Sequence, residues 1–383
     1  MDFSLTDEQR MLQDTVERLV QDQYGFEQRR GYMQAPGGFT REMWNQMAEL
    51  GLLGVPFAEE IGGFGGGPIE TMLVMEAFGK GPVLEPYVAT VATTGQLIAD
   101  AGSDAQKEAI LEPMVGGELI LAFAHGERDN RYSVNQVSTR AERGGSGYKL
   151  SGQKTVVLHG DSADKLVVSA RTGGDTMDAE GISLFLVDAD AKGVSIQGYP
   201  TIDGLHAADV TLDGVEVAED ALIGAEGKAA ALIELTQDRG AFAVCAEAVG
   251  AMTVACDMTL EYLKQRKQFG VPIGTFQSVQ HRMVEMRIEL EQARSATMKA
   301  AAKLAGDSAE ERRHAVSVAK HQVGVGGRFI SEQSIQLHGG IGMTEEYALA
   351  HYAKRIAMVN NQFGDADYHL DRFAANMTVP ETA

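Results

Sequence analysis

Between Tyr262 and Gln280 the chain reads YLKQRKQFGVPIGTFQSVQ, and some seventy residues later Gln336–Glu346 reads QLHGGIGMTEE. In the first stretch Arg266 offers a planar guanidinium fork. That shape matches a phosphate or diphosphate better than the point charge of Lys267 does. Gln268 and Gln277 add amides for sugar hydroxyls or ring edges, and Phe269 and Phe276 add aromatic faces. In the second stretch Gln336 supplies another amide, and Gly339 and Gly340 remove side chains where a large ligand could approach the backbone. The plainer reading makes Arg266 a surface ion-pair partner and the Gly pair a helix stop. Both half-sites in one chain favour the ligand.

A third position stands out for its surroundings. Glu247 lies among Phe242, Ala243, Val244, Ala246, Ala248 and Val249, so its carboxylate is either buried for a reason or on a narrow polar edge. It is also readable as a solvated or salt-bridged helix residue. Asp238 and Asp365 are reserves, although Gly364-Asp365 reads better as a turn. Arg239 suits a phosphate or a surface salt bridge. His338 reads as a packed or hydrogen-bonded residue, because no second ligand stands at metal spacing; no metal site is expected.

The elements that would carry these residues follow from periodicity. Residues 1–118 read as an N-terminal all-α domain. Ser4-Leu5-Thr6-Asp7-Glu8 and Thr40 stand at helix starts, Gly51 at a helix end, and the Gly-rich Ile61–Pro68 reads as a turn between helices rather than a ligand loop. Residues 119–227 change to short β-rich runs at Lys165, Ile182 and Ala208, punctuated by glycine and aspartate, which predicts a compact β-barrel or sandwich. Residues 228–383 return to helix, in long pieces over Ala229–Gln265, Phe276–Ala305 and Ala309–Leu337, as in a four-helix bundle. A three-part α+β chain of 383 residues is the expectation.

Composition narrows the partners. The net charge of −21 argues against nucleic acid and anionic membranes, while leaving room for a phosphorylated cofactor held by a few local donors. No apolar run is expected to reach the roughly twenty residues of a membrane span. The opening MDFSLTDEQR is polar and not a signal peptide. Cys245 and Cys256 fall on one predicted helix about 16 Å apart, too far for a disulfide, and read as buried thiols. A reducing cytoplasm fits.

Taken in order, these segments resemble the acyl-CoA dehydrogenase family along nearly the whole chain. Gly51-Leu-Leu-Gly-Val-Pro with Glu59-Glu-Ile-Gly-Gly resembles its N-terminal signature, and Gly181-Ile-Ser-Leu-Phe-Leu-Val-Asp its central strand. Arg266-Lys-Gln-Phe-Gly with Phe276-Gln277 and Gln336-Leu-His-Gly-Gly resemble its two cofactor segments. The resemblance implies FAD, gripped by the Arg266 and Gln336 segments of different subunits. It also implies a homo-oligomer (dimer or tetramer) or heterotetramer, an acyl-CoA substrate, and an electron-transfer flavoprotein as electron acceptor.

The chain departs from that family in three places. The usual Thr-Glu-Pro and Gly-Ser-Asp stretch aligns with His125–Ser133, where Glu127 matches but Gly126 replaces the hydroxyl. The flavin-contacting Trp-Ile-Thr aligns with Val156-Val157-Leu158. The usual base, in Glu-Gly-Thr, falls at Phe363, and the helix-borne alternative maps to Gly240. Glu247 lies seven positions later, two turns on, and so projects from nearly the same face. Ala246-Glu247-Ala-Val-Gly resembles the steroid-degrading branch, which implies Glu247 as catalytic base; Arg239 is a candidate contact to a CoA phosphate or adenine, or a surface salt-bridge partner. The expected activity is FAD-dependent α,β-dehydrogenation of an acyl-CoA. The alternatives are a non-catalytic or half-site subunit of a heteromeric enzyme, or a flavin oxidase or hydroxylase on the same scaffold.

Overall fold

A computed structural model describes residues 4–145 and 147–375. Met1–Phe3 of the polar opening, Ser146 and residues 376–383 lie outside the described residues. Helices come first: α1 (Asp7–Gln23), α2 (Phe26–Tyr32), α3 (Arg41–Glu49) and α4 (Pro68–Lys80). A π-helical stretch (Val88–Gly95) runs into α5 (Gln96–Ala101), and α6 (Asp104–Val115) follows. Thr6 closes a capping box with Gln9, and the Thr40 hydroxyl accepts the Met43 amide. Gly51 ends α3 in the left-handed region at φ 74°, the conformation that glycine adopts without a Cβ penalty. The Gly-rich turn is tightly packed rather than open. A Cβ on Gly63 would sit 2.1 Å from the Phe57 carbonyl oxygen.

Eight strands form one mixed sheet: β1 (Leu121–Ala124), β2 (Arg140–Gly144), β3 (Gly147–Leu158), β4 (Lys165–Arg171), β5 (Ile182–Asp188), β6 (Val194–Pro200), β7 (His206–Ala218) and β8 (Leu222–Ile223). Their order is β6-β7-β3-β2-β4-β5-β8, with β1 parallel to β4. Then come α7 (Ala230–Gln265), the short pair β9 (Lys267–Gln268) and β10 (Val271–Pro272), and α8 (Gln277–Leu304), α9 (Ala309–His338), α10 (Ala348–Asn361) and α11 (Ala366–Ala375). The three long helices begin and end within a residue or two of the sequence expectation.

Two compact units emerge. One gathers residues 1–29, 67–83 and 241–383, so α1 and α4 pack with the C-terminal helices. Here α4 and α7 meet backbone to backbone: a Cβ on Gly79 would lie 1.8 Å from the Glu247 carbonyl oxygen, and one on Gly250 2.0 Å from that of Glu76. The other unit gathers residues 30–66 and 84–240 around the sheet. In it Gln106 of α6 donates to the carbonyls of Asp220 and Leu222 at 2.7 and 3.1 Å, tying that helix to β8.

One expectation is corrected. α7 is long and apolar enough to cross a membrane by length and composition, although 78% of its most apolar stretch is buried inside the fold. Its apolar residues are core, and they bury Cys245 and Cys256 as free thiols. Burial pushes both thiols up to about 12, which keeps them protonated and unreactive.

Candidate active site

The first half-site grows from the end of α7. Arg266 follows the last helical residue, and β9 and β10 fold the chain back so that the Ile273 amide donates to the Arg266 carbonyl at 2.8 Å. The Arg266 guanidinium is exposed and makes no hydrogen bond or ion pair among the described residues. Gln268 donates to the neighbouring Lys267 carbonyl, and Gln277 opens α8, exposed. Phe269 is 93% exposed and held at φ 53°, while Phe276 meets it edge-on at 6.2 Å. A large ring left in water on strained backbone is not explained by packing within this chain.

The second half-site grows from the end of α9. Gln336 is exposed, and Gly339 ends the helix at φ 69°, ψ −149°, a region open to glycine almost alone. Nothing lies within 4 Å of where a Cβ would stand on Gly339 or Gly340, so the backbone there is open to a ligand. His338, one residue earlier, is buried. Its Nδ1 lies 2.8 Å from the Ser334 carbonyl, and its ring stacks on Tyr262 at 4.3 Å. Burial holds it below the usual imidazole range. That stacking brings the roots of the two segments together within one chain. No group of three or more metal-ligating side chains occurs among the described residues.

Glu247 is sealed. Its side chain is 4% exposed and that of Arg355, on α10, 2%. Arg355 Nε donates to Oε1 and Nη2 to Oε2, both at 2.6 Å, a fork-to-fork pair. Close by in charge, Lys320 of α9 is fully buried and donates to the carbonyls of Asn360 and Gly364. Burial draws its ammonium down to about 8, against the raising influence of Cys245 and Asp365. Lys320 thereby clamps the turn that carries Phe363, which sits at φ 56° with its carbonyl 2.9 Å from His369 Nε2. Asp365 Oδ1 accepts the Tyr368 amide at the start of α11, the turn role its sequence suggests. Asp238 is 1% exposed on α7.

In the sheet unit, Arg239 is engaged by Asp100 of α5 through both terminal nitrogens. Val156, first of the three residues aligned with the flavin-contacting segment, lies in a β-bulge between Lys154 and Val157. It adopts φ 54° and is 60% exposed, an uncomfortable conformation for a β-branched residue. Just before it, Lys154 is fully buried and donates to Glu127 at 2.7 Å and to Ser169 at 3.0 Å. Glu127 also accepts the amides of Ser138 and Thr139 at 2.7 and 3.0 Å. Burial alone would raise Glu127; Lys154 and the Thr139 amide outweigh it and bring the carboxyl down to about 2.

Three family models match the chain end to end: the N-terminal domain of acyl-CoA dehydrogenase over residues 6–118, the middle domain over 122–215 and the C-terminal domain over 226–378. A probable acyl-CoA dehydrogenase of Bacillus subtilis, YngJ, is 30% identical over 91% of this chain and 92% of its own length. The chain belongs to the acyl-CoA dehydrogenase family. Among solved structures, the ChsE4–ChsE5 complex from Mycobacterium tuberculosis covers 100% of both chains at 26% identity and a TM-score of 0.89. A variant of the Tcur3481–Tcur3483 steroid ACAD covers 97% of each chain at 31% identity and a TM-score of 0.86.

As an acyl-CoA dehydrogenase the chain uses FAD, and the residues present fit it. An unclaimed guanidinium, an open glycine pair and exposed rings are the donor set a dinucleotide needs. Sequence reasoning missed Arg355 and Lys154. A signal existed for Arg355: it stands among Ala353, Ile356 and Val359 as Glu247 stands among its own apolar neighbours. Two lone, opposite charges on apolar helix faces ask to be paired.

Proposed function

We propose that this acyl-CoA dehydrogenase removes the α-proton of its thioester with Glu247, and that the Arg266 and Gln336–Gly340 segments, rooted together in each chain by the Tyr262–His338 stack, hold the cofactor at an interface between copies. FAD, when bound, supplies the acceptor for the β-hydride. Loss of the Cα proton to the Glu247 carboxylate and of the Cβ hydride leaves the Cα=Cβ double bond, and the electron pair passes on to an electron-transfer flavoprotein. The observation that carries the base assignment is the acceptor capacity of Glu247. Each carboxylate oxygen has about two acceptor sites, and among the described residues only Arg355 occupies one on each. Phe363, where the usual base falls, carries no acceptor on its side chain.

Arg266 would meet the diphosphate, with Gln336 and the Gly339–Gly340 backbone opposite. Gln268, Phe269, Phe276 and Gln277 would flank the sugar and the rings. The 93% exposure of Phe269 supports a second copy, or a related subunit, as what covers that segment. Arg239 is the candidate contact to CoA, which would take it from Asp100. The three sequence segments 1–118, 119–227 and 228–383 are the proposed functional domains. A bulky or branched acyl group, of fatty-acid or steroid origin, suits the displaced base, and similarity to a steroid ACAD supports it. A reducing, cytoplasmic setting suits the two free thiols.

The test is Glu247→Gln in the FAD-loaded protein, mixed anaerobically with a panel of acyl-CoAs. The wild-type flavin should bleach with its preferred substrate, and the variant should keep its yellow colour and bleach about 10²- to 10⁴-fold more slowly, the usual worth of a positioned base. Bleaching at the wild-type rate would remove Glu247 from the reaction.

A further inference from the structure

We infer that Arg355 is a positioning residue for proton abstraction: its two-point grip fixes the plane in which Glu247 presents its remaining lone pairs to the α-hydrogen. The inference rests on the reading of Glu247 as the base. A glutamate side chain has several rotatable bonds, and a single donor would leave the carboxylate free to turn about its last one. Two parallel N–H···O bonds of 2.6 Å, from Nε and Nη2, remove that freedom. The grip takes one acceptor site on each oxygen and leaves the other unused. Arg355 does not touch the reacting atoms in this account; it acts through Glu247.

The backbone around the pair is equally fixed. The Glu247 carbonyl lies where α4 packs against α7 at Gly79, so the residue cannot shift with its helix. From α9, Lys320 adds a second buried cation near Arg355, but its hydrogen bonds go to the Asn360 and Gly364 carbonyls and not to Glu247. Lys320 therefore does not compete for Glu247. The orientation of the carboxylate depends on Arg355 alone among the bonds that hold it. A merely structural ion pair would have the same burial, so the two roles separate only in the reaction itself.

Arg355→Lys distinguishes them. The ammonium keeps the charge and hence the pairing, but it is a point donor and cannot enforce a plane. The FAD-loaded variant is mixed anaerobically with the preferred acyl-CoA, unlabelled and deuterated at Cα, and flavin bleaching is followed in a single turnover. Bleaching should slow about 10- to 100-fold, as a misplaced reacting group does. The substrate dissociation constant should stay within about threefold of wild type, a small change on the affinity scale, and the α-deuterium isotope effect should grow. Bleaching at the wild-type rate overturns the inference, and so does slowing that comes entirely from weaker binding or with an unchanged isotope effect. Glu247→Asp, which keeps both charges but withdraws the carboxylate by one methylene, must show the same signature. Normal bleaching by that variant overturns the inference even if Arg355→Lys fails to load FAD. If Glu247→Gln bleaches normally, the base assignment itself is lost. If Glu247→Gln is dead and Arg355→Lys is normal, only the grip is.

Discussion

Glu127 and Glu247 are each buried against a buried cation, and they are satisfied to different degrees. Glu127 accepts from Lys154 and from the amides of Ser138 and Thr139, so donors from two separate segments converge on it. Glu247 accepts only from the two nitrogens of Arg355. A carboxylate surrounded by backbone donors is a fastener, because moving any one of them breaks the set. A carboxylate held by a single side chain keeps acceptor sites open on both oxygens. Burial is nearly the same at both; the number and origin of the donors separate architecture from chemistry.

The comparison can be broken at Lys154. Replacing it with methionine leaves Glu127 buried without its cation, which should cost about 3–5 kcal/mol of folding stability, read as a lowered denaturant midpoint. The folded fraction should still bleach its flavin near the wild-type rate. Loss of bleaching in that fraction would mean that the fastener also takes part in the chemistry.

Acid gives a second handle. The Glu127 carboxyl titrates near 2 in the folded chain against 4.5 for an unperturbed glutamate. The unfolded chain therefore takes up that proton first as pH falls. Stability from this group is complete above about pH 5 and drains away toward pH 2, on the order of 3 kcal/mol in all. In Glu127→Gln the slope of stability against pH over that window should flatten, as measured by chemical denaturation at several pH values.

A smaller effect sharpens the other side. Alanine at Gly250 would press a methyl against the Glu76 carbonyl of α4, and overpacking of this kind costs about 1–3 kcal/mol. Because α4 also bears on Glu247 through Gly79, the variant should slow bleaching as well as lower the melting temperature. An unchanged bleaching rate would show that the base tolerates movement of its helix.

Much of this was legible in the sequence, for reasons that differ between elements. The long helices were marked by period and by caps such as Thr40, because local chemistry decides where helices start and stop. Arg266, Gln336 and the Gly pair stood out because the roles proposed for them need particular side chains, or none, at particular spacings. Division of the chain into compact units was not legible, because α1 and α4 join helices that begin well over a hundred residues later in the sequence. Glu247 and Arg355 each stand out as charges among apolar neighbours, but their pairing was not legible. Arg355 lies 108 positions away, and no local pattern reports a pairing across that distance. Val156 likewise shows its left-handed backbone only when β7 is laid beside β3 and the bulge appears.

The length of α7 has a consequence for who serves whom. From Glu247 to the last turn before Arg266 it is an unbroken rod, about 27 Å at 1.5 Å per residue. For Glu247 to share a thioester with a flavin ring, the diphosphate of that flavin must lie within the reach of one ribityl chain, which is much shorter than the rod. On the assignment proposed above, the guanidinium at the far end of the same helix would serve the cofactor of another copy. Each chain would then lend its base to one catalytic centre and its arginine to another. On that arrangement a defect in one copy would be inherited by its neighbour.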